Sequence, residues 1–251
     1  MFKLGVKHWR FLYRGLKARW RDERHEIAAL TSGLKSGDIA LDVGTNKGSF
    51  LPSFSRAVPQ GRVIAFEPQK VLADYVRERC AQAGFTNVEV IAAGLSDTSG
   101  EAELHVPGDE AHSPGASLEN KFDSSEPVRN LRIPITTIDA EMAKRDGRVG
   151  AIKIDVEGHE LAVLRGGAAT IRRDRPVIVV ECEQRHLVNG RVADLFELMC
   201  EYKYDGHFYY RGGTCKTSEF EPKLHQVEQG PAFWNAKGYV NNFIFIPNQA
   251  S

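Results

Sequence analysis

The sequence predicts an α/β fold, a doubly wound and mostly parallel sheet, and three observations carry that prediction. From about residue 37, short apolar runs alternate with helical stretches. The first run ends in an acid and a glycine turn, "LDVGTNKGSF". Two later runs, "AIKID" and "VIVVE", also end in carboxylates. Strand–helix alternation with short connections means parallel strands with helices on both faces, because each crossover must lie on one face or the other. A chain of 251 residues suffices for one such domain with a full core and is short for two.

The elements follow in order. Residues 2–30 read as helix, since Trp9, Leu12, Tyr13, Leu16 and Trp20 recur at helical spacing. Residues 1–35 are set apart as a basic amphipathic segment, ahead of a domain over 36–251. The segment carries Lys3, Lys7, Arg10, Arg14, Lys17, Arg19, Arg21 and Arg24 against Asp22 and Glu23 alone. Its aromatic stripe is expected to pack on the domain as a cap. The competing readings are peripheral contact of residues 1–25 with an anionic membrane, and dimerisation. Strands are expected at Ile39–Val43, Val63–Phe66, Val88–Ala92, Ala151–Ile154 and Val177–Val180. A helix over Val71–Ala83 starts after Pro68 and stops at Gly84. Glu101–Val106 and Leu131–Ile138 read as added β segments. They flank the polar stretch 107–130, a loop long enough to serve as a lid. The aromatic tail, "YKYDGHFYY" and "NNFIFIP", is expected to close the sheet with antiparallel strands.

Composition narrows the function classes. Lys and Arg number 33 and so do Asp and Glu, so no general nucleic-acid binder is expected. Cys80, Cys182, Cys200 and Cys215 form no C-x-x-C pair, which argues against metal knuckles and redox motifs. No apolar run reaches the ~18 residues that a membrane span needs, and a cytoplasmic location is expected.

The opening turn fits neither phosphate signature. A P-loop would need G-K-[ST], but Lys47 precedes Gly48. A dinucleotide site would need a middle glycine between Gly44 and Gly48, and Thr45 and Asn46 stand there instead. Asp42 repels phosphate and suits a cation. The next strand ends in "FEP", where Glu67 stands near the ~20-residue offset at which a carboxylate takes ribose hydroxyls. A ligand with a ribose, a positive group and no phosphate satisfies both, and S-adenosylmethionine has all three features. The bland alternative is that Asp42 and Glu67 only cap strand ends.

A second constellation lies in "AIKIDVEGHELAVLRGG". Its strand delivers Asp155 to the ligand-binding edge of the sheet, and Glu157, His159 and Glu160 follow on the turn. Glu181, Glu183 and His186 sit at or beyond the next strand end. Neighbouring strand ends with carboxylates suit acid/base chemistry or a divalent metal.

In order, "LDVGTNKGSF", "FEP", "GLSDTSGEAEL", "TTIDA" and "IKIDVEGHELAVLRGG" closely resemble the FkbM-type S-adenosylmethionine-dependent methyltransferases over about residues 38–183. The resemblance implies a class I methyltransferase (Rossmann-like) fold with seven strands, the last antiparallel. It implies O-methylation, typically of a sugar or natural-product hydroxyl. By the same likeness Asp42, Gly44, Asn46 and Gly48, with Thr45 in the same turn, line the methionine part of the cofactor. Glu67 with neighbouring Pro68 holds the ribose, Ser96 and Asp97 flank the adenine, and Asp155 borders the cofactor. Base N-methyltransferases typically carry an Asn/Asp-Pro-Pro-aromatic turn where this chain has "DVEG", which favours an oxygen acceptor. His159 is expected to take the hydroxyl proton, with Asp155 orienting the acceptor or the histidine. The rival is Mg²⁺ on Asp155 with Glu181 or Glu183, although the aspartate-rich pattern of such enzymes is missing. Outside this family, the alternatives are a nucleotide-dependent oxidoreductase on the same sheet type and a catalytically silent cofactor-binding relative.

Overall fold

The run "IALDV" is buried at all five positions. An alternating strand would bury only every second residue, so this one lies at the centre of a sheet covered on both faces. The computed structural model describes residues 6–108, 112–122, 127–230, 232–236 and 238–248. Its helices and strands run in the order α1 (Val6–Lys17), α2 (Arg24–Ser32), β1 (Ile39–Val43), α3 (Leu51–Ala57), β2 (Arg62–Phe66), α4 (Lys70–Gln82) and β3 (Val88–Ile91). Then come β4 (Gly94–Leu95), β5 (Gly100–Pro107), β6 (Val128–Thr136), α5 (Ile138–Met142), β7 (Val149–Ile154), α6 (Glu160–Arg165), α7 (Ala168–Asp174) and β8 (Val177–Glu181). The chain closes with α8 (Val192–Glu201), β9 (Tyr204–Tyr210), β10 (Gly213–Lys216), α9 (Pro222–His225) and β11 (Asn242–Pro247).

The main sheet has eight strands in the order β10-β9-β11-β8-β7-β1-β2-β3. β3, β2, β1, β7 and β8 pair in parallel, whereas β11 runs antiparallel between β8 and β9. The expected count of seven is therefore corrected to eight. The extra strand arises because Arg211 and Gly212 both take positive φ, 48° and 86°, the two-residue turn that matches hairpin twist. That turn folds β10 back on β9 as an antiparallel edge. A second, three-stranded sheet, β4-β6-β5, grows out beyond β3 and contains both added β segments.

The N-terminal segment departs further from expectation. Instead of one helix, α1 and α2 are separated by a π-helical stretch, Ala18–Asp22. The face of α1 that meets the domain is Phe11, Gly15 and Ala18, spaced i, i+4 and i+7. Phe11 and Ala18 are buried, and a β-carbon on Gly15 would lie 2.6 Å from Pro52 of α3. Small residues let the two helices approach closely. The aromatic stripe therefore points outward, overturning the expectation that it packs on the domain: Trp9, Tyr13, Leu16 and Trp20 are all exposed.

Candidate active site

The turn after β1 is shaped by residues with positive φ: Gly44 at 73°, Asn46 at 47° and Gly48 at 75°. Gly44 is required for a reason the sequence does not show. A β-carbon there would sit 1.8 Å from the Asp155 carbonyl oxygen, so the turns after β1 and β7 touch backbone to backbone. Beneath this contact Lys153 is buried in β7. Its ammonium donates to the Gly44 carbonyl at 3.0 Å and to Asp155 at 3.3 Å, and lies 3.7 Å from Asp42. Burial would pull the lysine down, but Asp155, Asp42 and Glu181 more than offset that and keep it charged. Burial raises Asp42 and Asp155, with Lys153 opposing it in both.

Glu67 ends β2 and is buried, with each carboxylate oxygen accepting a backbone N–H, from Asn46 and from Gln69, both at 2.9 Å. Burial pushes it up to about 7 against the pull of those bonds. Each oxygen keeps a second lone pair for a ligand hydroxyl. The Asn46 side-chain oxygen is buried without a hydrogen-bond partner among the described residues. It is an acceptor available to a ligand ammonium.

These groups line a cleft of about 590 Å³ counted to its open mouth. Of the residues singled out by sequence, Gly44, Asn46, Glu67, Pro68, Asp155, Glu157 and His159 line it. The others stand behind. Thr45 donates to buried Asp42 at 2.5 Å, so both brace the turn from below. Gly48 abuts Phe11 and Leu51, Ser96 bonds His159, and Asp97 is exposed. Residues of the 107–130 stretch cover the cleft. Gln69 and Ser113 exchange two hydrogen bonds, and Ser117 donates to the Glu157 carbonyl at 2.7 Å. Pro114, Ala116, Ser117 and Leu118 face the interior. The adjoining residues 109–111 and 123–126 of the same stretch lie outside the described residues.

His159 and Asp155 make separate contacts. Both ring nitrogens of His159 are engaged, one by the Ser96 hydroxyl at 2.9 Å and one by Glu119 at 2.8 Å. Asp155 bonds Lys153 instead.

A second cleft shares Pro114 and Glu157 with the first and is lined by Lys121, Phe122, Glu181, Glu183, Arg185, His186 and Trp234. Glu157 has φ 57°, and its carboxylate meets Lys121 at 2.8 Å and His186 at 3.0 Å. Burial alone would raise it, but His186 and then Lys121 outweigh burial and hold it at about 2. Glu183 is taken up by Arg185, at 2.6 and 3.2 Å, and by the Tyr239 hydroxyl. Glu181 accepts from Asn241 at 2.6 Å and stands well above its ordinary range, through burial and then the neighbouring charges of Asp155 and Glu23. Glu23, between α1 and α2, is pushed up to about 7 by burial and by Glu26, within electrostatic reach of Asp155. Sequence reading missed Glu23, Glu119, Lys121 and Lys153. Only Lys153 carried a local signal, as a charge inside an otherwise apolar strand.

The rival metal set, Asp155 with Glu181 or Glu183, does not assemble. Glu183 is committed to Arg185 and Tyr239, and among the described residues no group of three His, Cys, Asp or Glu side chains is placed to hold an ion. The donors at Asp155, Glu181 and Glu183 do not fit Mg²⁺.

Comparison with known proteins places the chain in a family. A family model described as the methyltransferase FkbM domain matches residues 42–205. Hexuronic acid methyltransferase AglP of Haloferax volcanii is 29% identical over 178 residues, covering 68% of this chain and 69% of that protein. The 2-O-methyltransferase NoeI of Sinorhizobium fredii is 24% identical over 191 residues, covering 67% of this chain and 76% of its own. Among solved structures, methyltransferase FkbM from Methylobacillus flagellatus superimposes with a TM-score of 0.50 at 15% identity. That match covers 96% of this chain but only 55% of the other, and it speaks for the fold alone.

Proposed function

The chain belongs to the FkbM methyltransferase family, and on that premise we propose that it methylates a hydroxyl of a sugar or natural product from S-adenosylmethionine. One observation carries the reading: a cleft suited to adenosine and a positive group opens at Glu157 into a second cleft lined with carboxylates. When bound, S-adenosylmethionine would supply a methyl on a sulfonium: the acceptor oxygen bonds to that carbon in line as the carbon–sulfur bond breaks, and adenosylhomocysteine is the leaving group. Glu67 takes the ribose hydroxyls on its free lone pairs, and Asn46 takes the amino-acid end on its unpartnered oxygen. Gly44 lines the cleft beside Asn46 and would border the methionine end.

An aliphatic hydroxyl must lose its proton as it attacks. We assign that proton to Asp155, the carboxylate that follows β7 and lines the cofactor cleft, where burial raises its affinity for protons. Lys153 stays charged beside it and steadies the carboxylate. His159, bonded at both ring nitrogens, takes a positioning role: it ties Ser96 to Glu119 of the covering loop. For His159 to act as the base, it would first have to leave one of these partners.

The acceptor is uncharged. Each cation that lines the second cleft is already paired, Lys121 with Glu157 and Arg185 with Glu183. The carboxylates there suit hydroxyl donors, and among the described residues no cation of that cleft is left free to take an acceptor carboxylate. AglP is named for a hexuronic acid; the paired cations here point to a neutral sugar or polyol instead. Calorimetry with adenosylhomocysteine, followed by labelled methyl transfer to matched neutral and uronic sugars, tests the reading. Indifference to adenosylhomocysteine with tight uptake of NADH would overturn it and favour the oxidoreductase. Asp155→Asn should abolish single-turnover transfer while His159→Ala weakens it; the reverse order would return the proton to His159.

A further inference from the structure

The outward face of α1 is apolar, where a helix lying on its own domain should be polar. Its inner face is already satisfied by Phe11, Gly15 and Ala18. On the opposite side Trp9, Tyr13, Leu16 and Trp20 are exposed by 61, 65, 49 and 73%. Residues three and four apart share an α-helix face, so Trp9, Tyr13 and Leu16 form one row on α1, about 10 Å long at ~1.5 Å per residue, and Trp20 follows in the π-helical stretch Ala18–Asp22. A single exposed tryptophan would mean nothing. Two tryptophans, a tyrosine and a leucine exposed in succession call for an occupant.

Charge says which occupant. Arg10, Arg14, Lys17 and Arg21 follow one another along one flank of the row, and Arg19 stands on the other. Beside the cationic flank lies an apolar pocket of Val71, Leu72 and Tyr75, rimmed by Arg10, Arg14 and Lys47. Arg14 donates to the Lys47 carbonyl at 3.3 Å, a contact that leaves its charge unneutralised. Among the described residues, Arg10 and Lys47 make no salt bridge. An apolar floor with an unpaired cationic rim, next to an aromatic row, matches the order of a lipid monolayer: phosphate outside, aromatic interface, hydrocarbon below.

We propose that this face docks on an anionic phospholipid bilayer, with Trp9, Tyr13, Leu16 and Trp20 in the interface and phosphates against Arg10, Arg14 and Lys47. Each cation near the surface adds attraction to anionic lipid. A second copy of the chain fits less well. Two-fold pairing through the row, with antiparallel helices, would set this flank beside its own copy; Lys17 and Arg21 share Asp22, but Arg10 and Arg14 add two further cations, so like charge still faces like. Docking rests on groups outside both clefts and stands apart from the acceptor assignment.

Co-sedimentation of the full chain with vesicles tests it, using phosphatidylcholine alone and with about one third phosphatidylglycerol. The chain should bind only the anionic vesicles, and binding should weaken with added salt. The variant Trp9→Ser/Trp20→Ser should lose about tenfold or more in partitioning, and Arg10→Glu should lose binding to the anionic vesicles. Unchanged adenosylhomocysteine affinity in these variants would show that they are folded. The proposal fails if the chain does not sediment with anionic vesicles at low salt, or if the tryptophan variant binds as well as the parent. It fails equally if light scattering shows a lipid-free dimer that the tryptophan variant splits, since the face would then belong to a second copy.

Discussion

Gly44→Ala isolates the contact on which the whole site depends. With φ at 73° the position is left-handed, which costs an alanine about 1–2 kcal/mol. The new β-carbon would also sit 1.8 Å from the Asp155 carbonyl oxygen and 2.9 Å from its carbon. That partner is backbone and cannot rotate away. The β7 turn must retreat by roughly 1 Å, a displacement able to cost about a hundredfold in rate at a reacting group. The retreat would also strain the bond from the Asp155 amide to the Val43 carbonyl, 3.0 Å long, adding about 1 kcal/mol. The expected outcome is a loss of about 2–3 kcal/mol of stability and at least a hundredfold loss of methyl transfer at saturating cofactor. Gly48→Ala is the matched control. Its φ of 75° imposes the same backbone strain, but the nearest atoms are the ends of Phe11 and Leu51 at 3.0 Å, which can give. It should lose stability by about 1–2 kcal/mol and keep most of its rate. Thermal unfolding and single-turnover transfer read both effects. A Gly44→Ala enzyme within about threefold of the parent rate would refute the account of the turn.

Other outcomes follow from the same geometry. Glu67→Gln offers one acceptor oxygen where two backbone N–H groups need one each, so adenosylhomocysteine affinity should fall by roughly one to two orders of magnitude; unchanged calorimetry would make Glu67 a strand cap only. Lys153→Met strands Asp42, Asp155 and Glu181 without their shared cation and should cost about 3–5 kcal/mol at neutral pH. Those carboxyls sit above their ordinary range, so protonation should relieve the loss as pH falls, and equal urea midpoints at about pH 5 and pH 8 would contradict the charge argument. Glu157 is the opposite case. Its folded value of about 2 lies below the unfolded one, so its stabilisation is complete above about pH 4.5 and is lost as pH falls toward 2, on the order of 3 kcal/mol in all. Glu157→Gln should flatten that acid limb of the unfolding curve.

The readable parts of the molecule were those whose signal is local. Ile39–Val43 reads as a central strand because burial on both faces demands an unbroken apolar run. The turn from Asp42 to Gly48 and the acid in "FEP" report their roles through residue type, since only certain residues tolerate that backbone or that charge. What stayed hidden depends on partners distant in sequence. β10, "GTCK", carries no apolar pattern, and only the Arg211–Gly212 turn brings it to the sheet. α1 offers two apolar rows, and periodicity cannot say which faces inward. Gly15 and Ala18 decide it by letting the backbone approach α3. His159 and Ser96 were each visible, but the bond between them, and the hold of Glu119 on the same ring, come from loop closure. Glu23 comes within electrostatic reach of Asp155 only because α2 packs against β7 and β8.

That last proximity changes what the N-terminal segment is. Phe11, Ala18, Ile27 and Leu30 belong to the same buried cluster as Phe54, Val63 and Val90, so α1 and α2 share a core with β2 and β3. Phe11 also packs on Gly48, at the end of the cofactor turn. A segment that served only as an anchor would not set a half-buried acid within electrostatic reach of Asp155 and Glu181, because a poorly compensated charge drawn out of water destabilises the fold. Glu23 carries that burden, and its neighbours Asp155 and Glu181 carry it as well. Three carboxylates with raised proton affinity around one charged lysine make a poor scaffold and a good place to take up a proton. The strain is concentrated where an alcohol must be deprotonated, while the aromatic row on the far side of α1 stays free to meet a surface.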